Sequence, residues 1–445
     1  MDFKNRKKEL NLLNELYKQD SSKLIIFYGR RRVGKSELLN QFIKKNNGIY
    51  LLFNQESLKD QLRHISNQLA IQFNDDFLKV NPFSNFESLL VYLSKYDLPI
   101  VFDEFPYLVD SSKSILSILQ NYWDINLSKK KTFLILCGSS IAIMEGLLSK
   151  KSPIYGRRTE QILLEPLSFE HSCLFFNKNL DIKNKIIFYS ILGGMPAYLL
   201  EFDYNKSIKY NLINNILKKN KYLYQDVLFS LKEELNDPKN YFSILASISK
   251  GNSKLNEIVN DTGFEKTFVN KYLSVLINLQ LVERIVPITE KNTQKSRKGI
   301  YRLKELYFKF WFRFIFGNEI YIEQNKQEKL VDEIIIPNLN SYVGLIFEDI
   351  VLQKLIQKYD NYLFGKHWDK NLEIDVVGLD KKNKNILFGE VKFKELNENE
   401  IKNHFFNLKE KSKSVIMKNF NKNFIIIFIK NNQIVFIDEK NNLFY

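Results

Sequence analysis

The sequence predicts an α/β protein built on a parallel sheet, followed by a helical segment and two smaller domains. Short apolar runs at Lys23–Tyr28, Leu98–Glu104 and Thr132–Cys137 end at glycine or polar residues, as buried parallel strands do at the edge of a sheet. A stretch with helical spacing, Glu37–Lys45, follows the first run, and an alternation of strand and helix is typical of a parallel sheet. The 445 residues exceed the usual size of one domain, so we expect several.

Composition narrows the class of protein. Hydrophobic residues make up 44% of the chain and charged residues 26%, which excludes wholesale disorder and a collagen-like or disulfide scaffold. The net charge of +15 favours a polyanionic partner such as nucleic acid or nucleotide. Much of that charge is lysine in a sequence also rich in Asn and Ile, as a low-GC genome would encode, so both interpretations stay open.

The sequence also indicates a cellular compartment. Cys137 and Cys173 are too few for a zinc site or a disulfide framework, and the charged opening MDFKNRKKELNLL lacks the apolar core of a secretion signal. The apolar stretches Thr132–Met144 and Tyr307–Phe316 fall short of the roughly 20 residues that a spanning helix needs. We therefore expect a cytoplasmic protein with no membrane partner.

A glycine-rich loop follows the first apolar run and precedes a helical pattern at Glu37–Lys45. The loop has the spacing G-x-x-x-x-G-K-S of a phosphate-binding loop, in which backbone N–H groups and the helix N-terminus face the phosphates. Lys35 would reach the β- and γ-phosphates and the Ser36 hydroxyl would bind Mg²⁺. We therefore expect ATP and Mg²⁺ to bind at Gly29, Arg30, Arg31, Arg32, Val33, Gly34, Lys35 and Ser36.

The next two apolar runs end in further candidate residues for hydrolysis. Asp103 would hold Mg²⁺ and Glu104 would orient or deprotonate the attacking water. The alternative is a buried strand with a solvated acidic end. Ser139 follows the third run, where a sensor of the γ-phosphate would lie, although it could be a simple turn serine.

Two later segments offer contacts to the nucleotide. Arg157 or Arg158 could reach a γ-phosphate, in cis or from a neighbouring subunit of a homo-oligomer, and the alternative is a surface arginine pair. The segment Gly193–Pro196 could be an ordinary helix break or a loop that touches the nucleotide.

The order of these motifs is more specific than any one of them. The segments NRKKEL, GRRRVGKS, VFDEFPYL, LILCGSS, PIYGRRT, EPLSF and GGMP together resemble the archaeal-type ATPase family, a branch of the AAA+ and STAND-like P-loop ATPases, over about residues 1–330. The resemblance implies that ATP and Mg²⁺ are held by Lys35, Ser36, Asp103 and Glu104. It further implies that Ser139 is the sensor, Arg157 the arginine finger and Pro196 a nucleotide contact.

The middle of the chain predicts a winged helix. Helices are expected at Tyr241–Ser249, Leu255–Val259 and Lys266–Leu279, and strands at Leu281–Val286 and Gly299–Arg302. Between Arg284 and Lys304 seven basic residues stand against one acid. The third helix would enter the major groove of DNA, and the DNA phosphates would be bound by Lys291, Lys295, Arg297 and Lys298. The alternative is a protein-interaction or spacer module.

The tail carries acids and a lysine in a pattern typical of metal-dependent nucleases. Glu348 lies on a predicted helix, Asp375 on a strand, and Glu390 and Lys392 on one face of the next strand. The carboxylates Glu348, Asp375 and Glu390 suit a divalent metal, and Lys392 could stabilise the phosphate. The arrangement resembles the PD-(D/E)XK nuclease superfamily, although Ile374 replaces the proline. The alternatives are an exposed hairpin of mixed charge and a fold that binds DNA without cutting.

The sequence thus predicts an α/β protein with a P-loop parallel sheet and a helical lid, then a winged helix and a small restriction-endonuclease-like α/β domain. The expected ranges are 1–165 for the ATPase core, 166–235 for the lid, 236–306 for the winged helix, 307–334 for a connector and 335–445 for the nuclease-like domain. The expected function is an ATP-driven switch acting on DNA. The alternative is an ATP-dependent signalling scaffold with an inert tail.

Overall fold

A computed structural model describes residues 4–235, 237–369, 372–415, 417, 419–440 and 442–444 of this chain. The chain forms two compact units. The first comprises Met1–Pro166 with Met195–Ala197, and the second comprises Leu167–Gly194 with Tyr198–Tyr445.

The first unit is a parallel sheet with helices in the connections between its strands. Its strands are β1 (Lys23–Tyr28), β2 (Ile49–Leu52), β3 (Pro99–Asp103), β4 (Phe133–Gly138) and β5 (Glu160–Leu163). Its helices are α1 (Lys7–Lys18), α2 (Lys35–Lys45), α3 (Leu58–Phe73), α4 (Asp76–Val80), α5 (Phe86–Leu93), α6 (Phe105–Ser111), α7 (Ile115–Ile125) and α8 (Ile141–Leu147), with a 3₁₀ turn at Leu127–Lys129. The predicted α/β class with a parallel sheet is confirmed.

The strand order positions the candidate site. The sheet runs β2-β3-β4-β1-β5, so the carboxyl ends of β3, β4 and β1 are neighbours. β3 and β4 are buried along their whole length, as expected for central parallel strands covered on both faces. Ligands of open parallel sheets bind at this carboxyl edge, where the phosphate loop, Asp103 and Ser139 lie.

The second unit is helical at first and ends in a mixed sheet. Its helices are α9 (Phe169–Ser172), α10 (Ile182–Leu192), α11 (Pro196–Leu199, shared with the first unit), α12 (Ile208–Asn211), α13 (Tyr222–Glu234), α14 (Lys239–Lys250), α15 (Leu255–Thr262), α16 (Lys266–Asn278), α17 (Leu306–Phe314), α18 (Glu319–Glu323), α19 (Gln327–Leu330), α20 (Ile336–Lys358) and α21 (Glu398–Ser412). Its strands are β6 (Val282–Ile285), β7 (Ile300–Leu303), β8 (Leu363–Trp368), β9 (Glu373–Asp380), β10 (Asn385–Lys392), β11 (Asn421–Lys430), β12 (Gln433–Asp438) and β13 (Leu443–Phe444). A 3₁₀ turn lies at Cys173–Phe175, and π-helical turns lie at Leu212–Ile216 and Val331–Ile335.

The helices α14 to α16 and the antiparallel pair β6–β7 follow one another as the sequence indicates. β6 is shorter than the predicted Leu281–Val286, because Pro287 follows closely and cannot donate a hydrogen bond to a ladder. The loop between β6 and β7 lies against β8, where the Ile288 N–H donates to the Lys366 carbonyl (2.9 Å). The Trp368 indole donates to the Lys298 carbonyl (2.9 Å). The loop therefore covers the edge strand of the second sheet.

The second sheet has the order β13-β12-β11-β10-β9-β8. β8, β9 and β10 are antiparallel neighbours, whereas β10 and β11 run parallel with α21 as the connection between them. The range predicted as a connector contains α17, and its side chains Tyr307, Phe308, Phe310, Trp311, Phe312 and Phe314 are buried. The aromatic run therefore packs in the core of the second unit.

Among the described residues, one helical stretch is long and apolar enough to cross a membrane by length and composition alone. It spans Gln327–Lys358, outside the two stretches considered from the sequence. Of its most apolar 18 residues, 44% are buried inside the protein. Val343, Phe347 and Ile350 of this stretch are fully buried in the protein. Packing inside the second unit thus accounts for part of its apolar composition, whereas Ile336, Leu345 and Ile356 of this stretch are exposed.

Candidate functional site

The phosphate loop closes around the ammonium group of Lys35. Gly34 has a φ of +95° and lies just before α2, a left-handed conformation that favours glycine. The Lys35 Nζ donates to the carbonyl oxygens of Gly29 (2.9 Å) and Arg30 (3.0 Å). Burial lowers the pKa of Lys35. The loop thus presents a buried cation and a helix N-terminus at one place, as a phosphate site requires.

Asp103 connects the phosphate loop to β3. Its Oδ2 accepts the hydroxyl hydrogen of Ser36 (2.7 Å) and that of Tyr50 on β2. Its Oδ1 accepts the N–H of Glu104 (2.9 Å). Burial, reinforced by the charge of Asp103, raises the pKa of Tyr50. Ser36 and Asp103 together offer oxygen atoms of the kind that Mg²⁺ prefers as ligands, and Ser36 is exposed to solvent.

Glu104 and Ser139 also meet at this edge of the sheet. Glu104 has a φ of +51°, which is uncommon for a residue with a side chain, and it lies just before α6. Its Oε2 accepts hydrogen bonds from the hydroxyl of Ser139 (2.9 Å) and from the backbone N–H of Ser139 (3.3 Å). The two residues assigned to water activation and phosphate sensing therefore lie in direct contact.

Other loop residues have structural partners. The Arg31 guanidinium donates to the Tyr107 hydroxyl (3.2 Å). The carbonyl of Val33 accepts a hydrogen bond from Arg6 (2.9 Å), whose side chain is buried. These contacts tie the loop to the start of the chain and to α6. Arg30 is buried, and Arg32 has a left-handed φ of +70°.

The Gly193–Pro196 segment belongs partly to the site. Gly193 has a φ of +68° and ends α10, as a helix break would. Pro196 belongs to the first compact unit, and its Cγ lies 3.8 Å from the position that a Cβ on Gly34 would take. Pro196 is therefore next to the phosphate loop.

Arg157 has different neighbours from the loop residues. Its guanidinium makes a two-pronged contact with Asp124 on α7 (3.1 and 2.8 Å) and donates to the Pro153 carbonyl (3.2 Å). Arg158 donates to the Leu148 carbonyl (3.0 Å). An arginine-finger role for Arg157 would require it to leave Asp124, a partly exposed partner.

A second constellation lies on β9 and β10. The Asp375 Oδ2 accepts the backbone N–H of Val391 (2.8 Å), which places Asp375 beside the Glu390-Val391-Lys392 segment. Glu390 contacts Lys392 (2.7 Å) and Lys411 of α21 (2.9 Å). Burial, and then the charge of Glu390, raises the pKa of Asp375 to about 6.

Glu348 approaches this constellation from α20. It pairs with Lys366 of β8 (2.5 Å), and Lys366 also lies 3.6 Å from Asp349. Burial outweighs this pairing and raises the pKa of Glu348 to about 7. Within the described ranges, no three Asp, Glu, His or Cys side chains are grouped so that they could hold a metal ion. Glu348, Asp375 and Glu390 therefore do not form a ready three-carboxylate centre.

The basic loop between β6 and β7 is largely open to solvent. Lys291, Lys295 and Arg297 are exposed, whereas exposed Lys298 pairs with Glu290 (3.0 Å). Arg302 of β7 is neutralised by Glu283 (2.6 Å) and Asp349 (2.9 Å). The free positive charge of this region is thus smaller than the sequence suggests and is concentrated on the loop.

Sequence reasoning missed four residues of these sites: Tyr50, Arg6, Lys366 and Lys411. Tyr50 interrupts the apolar strand β2, which is partly buried, and a polar aromatic residue in such a strand indicates that its hydroxyl needs a partner. The other three are ordinary basic residues in sequence. Their contacts in these sites are with Val33, Glu348 and Glu390, which are at least 18 positions away, so no local pattern could have identified them.

The geometry of β1, the phosphate loop, β3 and β4 defines the first unit as a P-loop ATPase domain. Residues 3–202 match a family described as an ATPase domain predominantly from Archaea. Residues 183–306 match a domain of unknown function, and residues 311–404 match a family described as Archaea bacterial proteins of unknown function.

The chain is 34% identical over 440 residues to the uncharacterized protein MJECL04 of Methanocaldococcus jannaschii, covering 96% of this chain and 95% of that protein. It therefore belongs to the same family as MJECL04. Its fold is similar to that of the Walker-type ATPase PABY2304 of Pyrococcus abyssi, with a TM-score of 0.52 and 19% identity over 70% of this chain and 96% of that chain. The Aeropyrum pernix ORC2 protein, solved as ADPNP-ADP complexes, is more distant, with a TM-score of 0.46 and 12% identity over 74% of this chain and 95% of that chain.

Proposed function

We propose that this protein is an ATP-binding and ATP-hydrolysing switch that acts on DNA and carries a nuclease-like domain at its carboxyl end. The observation that carries the ATPase part is the meeting of three elements at one edge of the sheet. Lys35 is enclosed by the phosphate loop, Ser36 contacts Asp103 across 2.7 Å, and Glu104 contacts Ser139 across 2.9 Å.

Each of these residues has a role that its position supports. Lys35 and the loop N–H groups bind the β- and γ-phosphates, and Ser36 and Asp103 would hold Mg²⁺. A bound Mg²⁺ ion would offset the charge of the phosphates. Glu104 accepts a proton from the attacking water. Ser139 is the proposed sensor of the γ-phosphate, and its hydrogen bond also orients the Glu104 carboxylate.

The DNA-binding part of the proposal rests on α14 to α16 and the β6–β7 pair, which follow the order of a winged helix. In that arrangement α16 enters the major groove, and the exposed Lys291, Lys295 and Arg297 contact phosphates beside it. Lys298 adds a weaker contact because Glu290 already offsets its charge.

The nuclease-like part of the proposal rests on the order of elements at the carboxyl end. A helix bearing Glu348 precedes three antiparallel strands, which carry Asp375, Glu390 and Lys392, and a helix then leads to a parallel strand. Asp375 and Glu390, with Glu348 nearby, would hold Mg²⁺ or Mn²⁺. Lys392 would steady the phosphate or the attacking water.

A second candidate function is an ATP-dependent signalling or regulatory scaffold with an inert tail. One observation favours it: Glu390 is already held by the ammonium groups of Lys392 and Lys411. Burial alone would raise the pKa of Glu390, yet these two cations hold it below its ordinary value. A carboxylate neutralised in this way competes poorly for a metal ion.

The remaining expectations concern assembly and location. An arginine finger supplied by Arg157 from a neighbouring copy would make the active form a homo-oligomer. Cys137 and Cys173 are both free thiols, which suits a reducing cytoplasm. We include a cytoplasmic homo-oligomer in the proposal.

The decisive experiment compares two variants of the full chain. Lys35→Ala should abolish tight ATP binding, whereas Glu104→Gln should retain binding and lose hydrolysis, because Lys35 holds phosphates and Glu104 handles water. Lys44→Ala, an exposed lysine on the same helix, is the matched control and should behave as the wild type. Undiminished turnover in both site variants would end the ATPase proposal.

Measurements of DNA affinity and of oligomerisation, with and without ATP, distinguish the two candidate functions. ATP-dependent change in DNA affinity supports the switch acting on DNA. Nucleotide-dependent oligomerisation without measurable DNA affinity supports the scaffold.

A further inference from the structure

The second unit contains a large, partly open cavity to which the functions proposed above assign no ligand, although it shares Lys366 with the surroundings of Glu348. It lies between the turn that joins α14 to α15, the β6–β7 pair, helices α17 and α20, and the β8–β9 end of the second sheet. Its volume is about 790 Å³. Cavities of this size are typical of sites for small organic ligands.

The lining of the cavity is predominantly basic. Among the residues that the structure describes, the lining contains six basic side chains against three acids, and the basic residues are Lys250, Lys254, Arg302, Lys309, Arg313 and Lys366. The acids are Asp349, Asp369 and Glu373. A concave surface with this imbalance attracts an anion.

The central acid of the cavity is already neutralised. Asp349 accepts from the Arg302 guanidinium at 2.9 and 3.0 Å and lies 3.6 Å from the Lys366 ammonium. The charge of Asp349 is therefore shared by two cations that are fixed in place. Lys309 and Arg313, one turn apart on α17, remain to face a ligand.

The Lys309 ammonium makes no hydrogen bond or ion pair with any residue that the structure describes, and it lies over the ring of Tyr342, 5.7 Å from the centroid. Burial lowers the pKa of Lys309 to about 8. Arg313 uses one of its N–H groups on the Lys250 carbonyl (2.7 Å) and keeps its other donors. Asp349 and Glu348 attract the Lys309 ammonium but do not pair with it, so its burial stays costly, and a bound anion would reduce that cost.

The lining also includes aromatic and apolar side chains. Tyr301 of β7, Trp368 of β8 and Leu345 of α20 line the cavity, and Leu345 has 52% of its surface exposed. Aromatic side chains next to basic groups are the usual contacts of nucleobases and their phosphates. A large exposed leucine at the cavity is explained if a ring covers it.

We propose that this cavity is a second ligand site that takes a nucleoside 5′-phosphate unit, either as a free nucleotide or as the phosphorylated end of a nucleic-acid strand. Lys309 and Arg313 bind the phosphate, and Tyr301 and Leu345 contact the base. The proposal goes beyond the ATPase and DNA-binding functions and does not depend on either.

The test uses the full chain carrying Lys35→Ala, so that the phosphate loop contributes little to binding. The probes are thymidine 5′-monophosphate, thymidine, and a short single-stranded oligothymidylate with and without a 5′-phosphate, titrated calorimetrically. We expect saturable binding that needs the phosphate. Lys309→Met and Arg313→Met should each weaken binding by about tenfold or more, since each removes a charge-assisted hydrogen bond to the phosphate.

Two controls keep the result interpretable. Lys326→Met removes an exposed lysine outside the cavity and should bind as the parent does. Leu345→Trp fills the cavity without removing a cation and should also weaken binding, which covers the case in which Lys309→Met fails to fold. Binding of the monophosphate identifies a free-nucleotide site, and binding of the phosphorylated oligonucleotide alone identifies a strand end.

The proposal is overturned if no phosphate-bearing probe binds saturably. It is equally overturned if thymidine binds as well as its phosphate, or if binding survives both the Lys309 and the Leu345 substitutions. ATP binding at the phosphate loop is measured separately, in chains that retain Lys35. Failure of the cavity proposal and failure of the ATPase proposal therefore give different results.

Discussion

Ser139 donates its hydroxyl hydrogen to Oε2 of Glu104 across 2.9 Å, and its backbone N–H points to the same oxygen across 3.3 Å. The two residues end neighbouring strands of the parallel sheet, and Glu104 adopts a left-handed backbone with a φ of +51°. A carboxylate held in this way has a defined direction before any substrate arrives. Such fixed orientation is what a residue needs in order to activate water.

Ser139→Ala should therefore impair catalysis more than binding. Removal of the hydroxyl frees the Glu104 carboxylate, so we expect the turnover of ATP to fall by about tenfold or more while the Kd for ATP stays within about threefold. Ser140→Ala, at the next position, is the matched control because the Ser140 side chain does not cap α8. Full turnover in Ser139→Ala would reduce Ser139 to a turn serine.

Tyr50→Phe should change the response to Mg²⁺. The Tyr50 hydroxyl donates to the Asp103 oxygen that also contacts Ser36, so it helps to orient the proposed magnesium ligands. Removal of such a supporting hydrogen bond typically costs about tenfold or more in metal affinity or activity. We expect the Mg²⁺ concentration for half-maximal ATP hydrolysis to rise about tenfold. Tyr92→Phe, which removes a hydroxyl that donates to Asp75, is the control, and this Mg²⁺ concentration should not change in it. If Tyr50→Phe and Tyr92→Phe need the same Mg²⁺ concentration, Tyr50 has no positioning role.

Replacement of Lys291, Lys295 and Arg297 by Ala should weaken DNA binding similarly for all sequences. For each phosphate contact that is lost, the slope of log affinity against log salt concentration should become shallower by roughly 0.9. The triple replacement of the exposed lysines Lys381, Lys382 and Lys384, on the turn between β9 and β10, removes the same charge elsewhere. If the two triple variants have the same affinity and salt slope, the loop between β6 and β7 does not bind DNA.

Asp375→Asn and Lys392→Met should each abolish any cleavage of DNA that depends on Mg²⁺ or Mn²⁺, while ATP hydrolysis persists. Both side chains lie beside Glu390, and a site that stabilises a charged transition state loses orders of magnitude in rate without them. Asp360→Asn, at an exposed acid in the same domain, is the control. A wild-type protein that cuts neither DNA nor RNA would favour the inert tail, and cleavage that survives both substitutions would place the chemistry elsewhere.

Lys309→Met should stabilise the folded protein near neutral pH. The pKa of Lys309 is lowered from 10.5 to about 8, so below pH 8 the ammonium is charged in both states and its burial costs stability. Between about pH 8 and 10.5 the folded protein releases this proton first, and the cost disappears as the pH rises. We expect an advantage of less than about 3 kcal/mol at pH 7, because Lys309 keeps some contact with solvent.

Urea unfolding of wild type and Lys309→Met at several pH values measures this advantage, with Lys326→Met as the control. The gap between wild type and Lys309→Met should close as the pH rises from 8 to 10.5. A gap that does not depend on pH would mean that the ammonium charge is not its cause.

Much of the first site could be predicted from the sequence because its information is local. The spacing of Gly29, Gly34, Lys35 and Ser36 specifies a loop between a strand and a helix, whatever surrounds it. Asp103 and Glu104 follow an apolar run, and the carboxyl ends of parallel strands meet at one edge. In the tail, the period of two along β10 indicated that Glu390 and Lys392 share a face, and they lie in contact in the structure.

By itself the sequence determined the α/β class, the phosphate loop and the residues that end its strands, since each depends on neighbours within a few positions. Only the tertiary structure decided that Tyr50 contacts Asp103, 53 residues away, and that Lys411 of α21 holds Glu390. It also decided that Arg302 and Lys366 share Asp349, whereas the Lys309 ammonium pairs directly with no acid in the described part of the chain. The physical reason is that such contacts depend on strand order and helix packing, which a local pattern of residues does not encode.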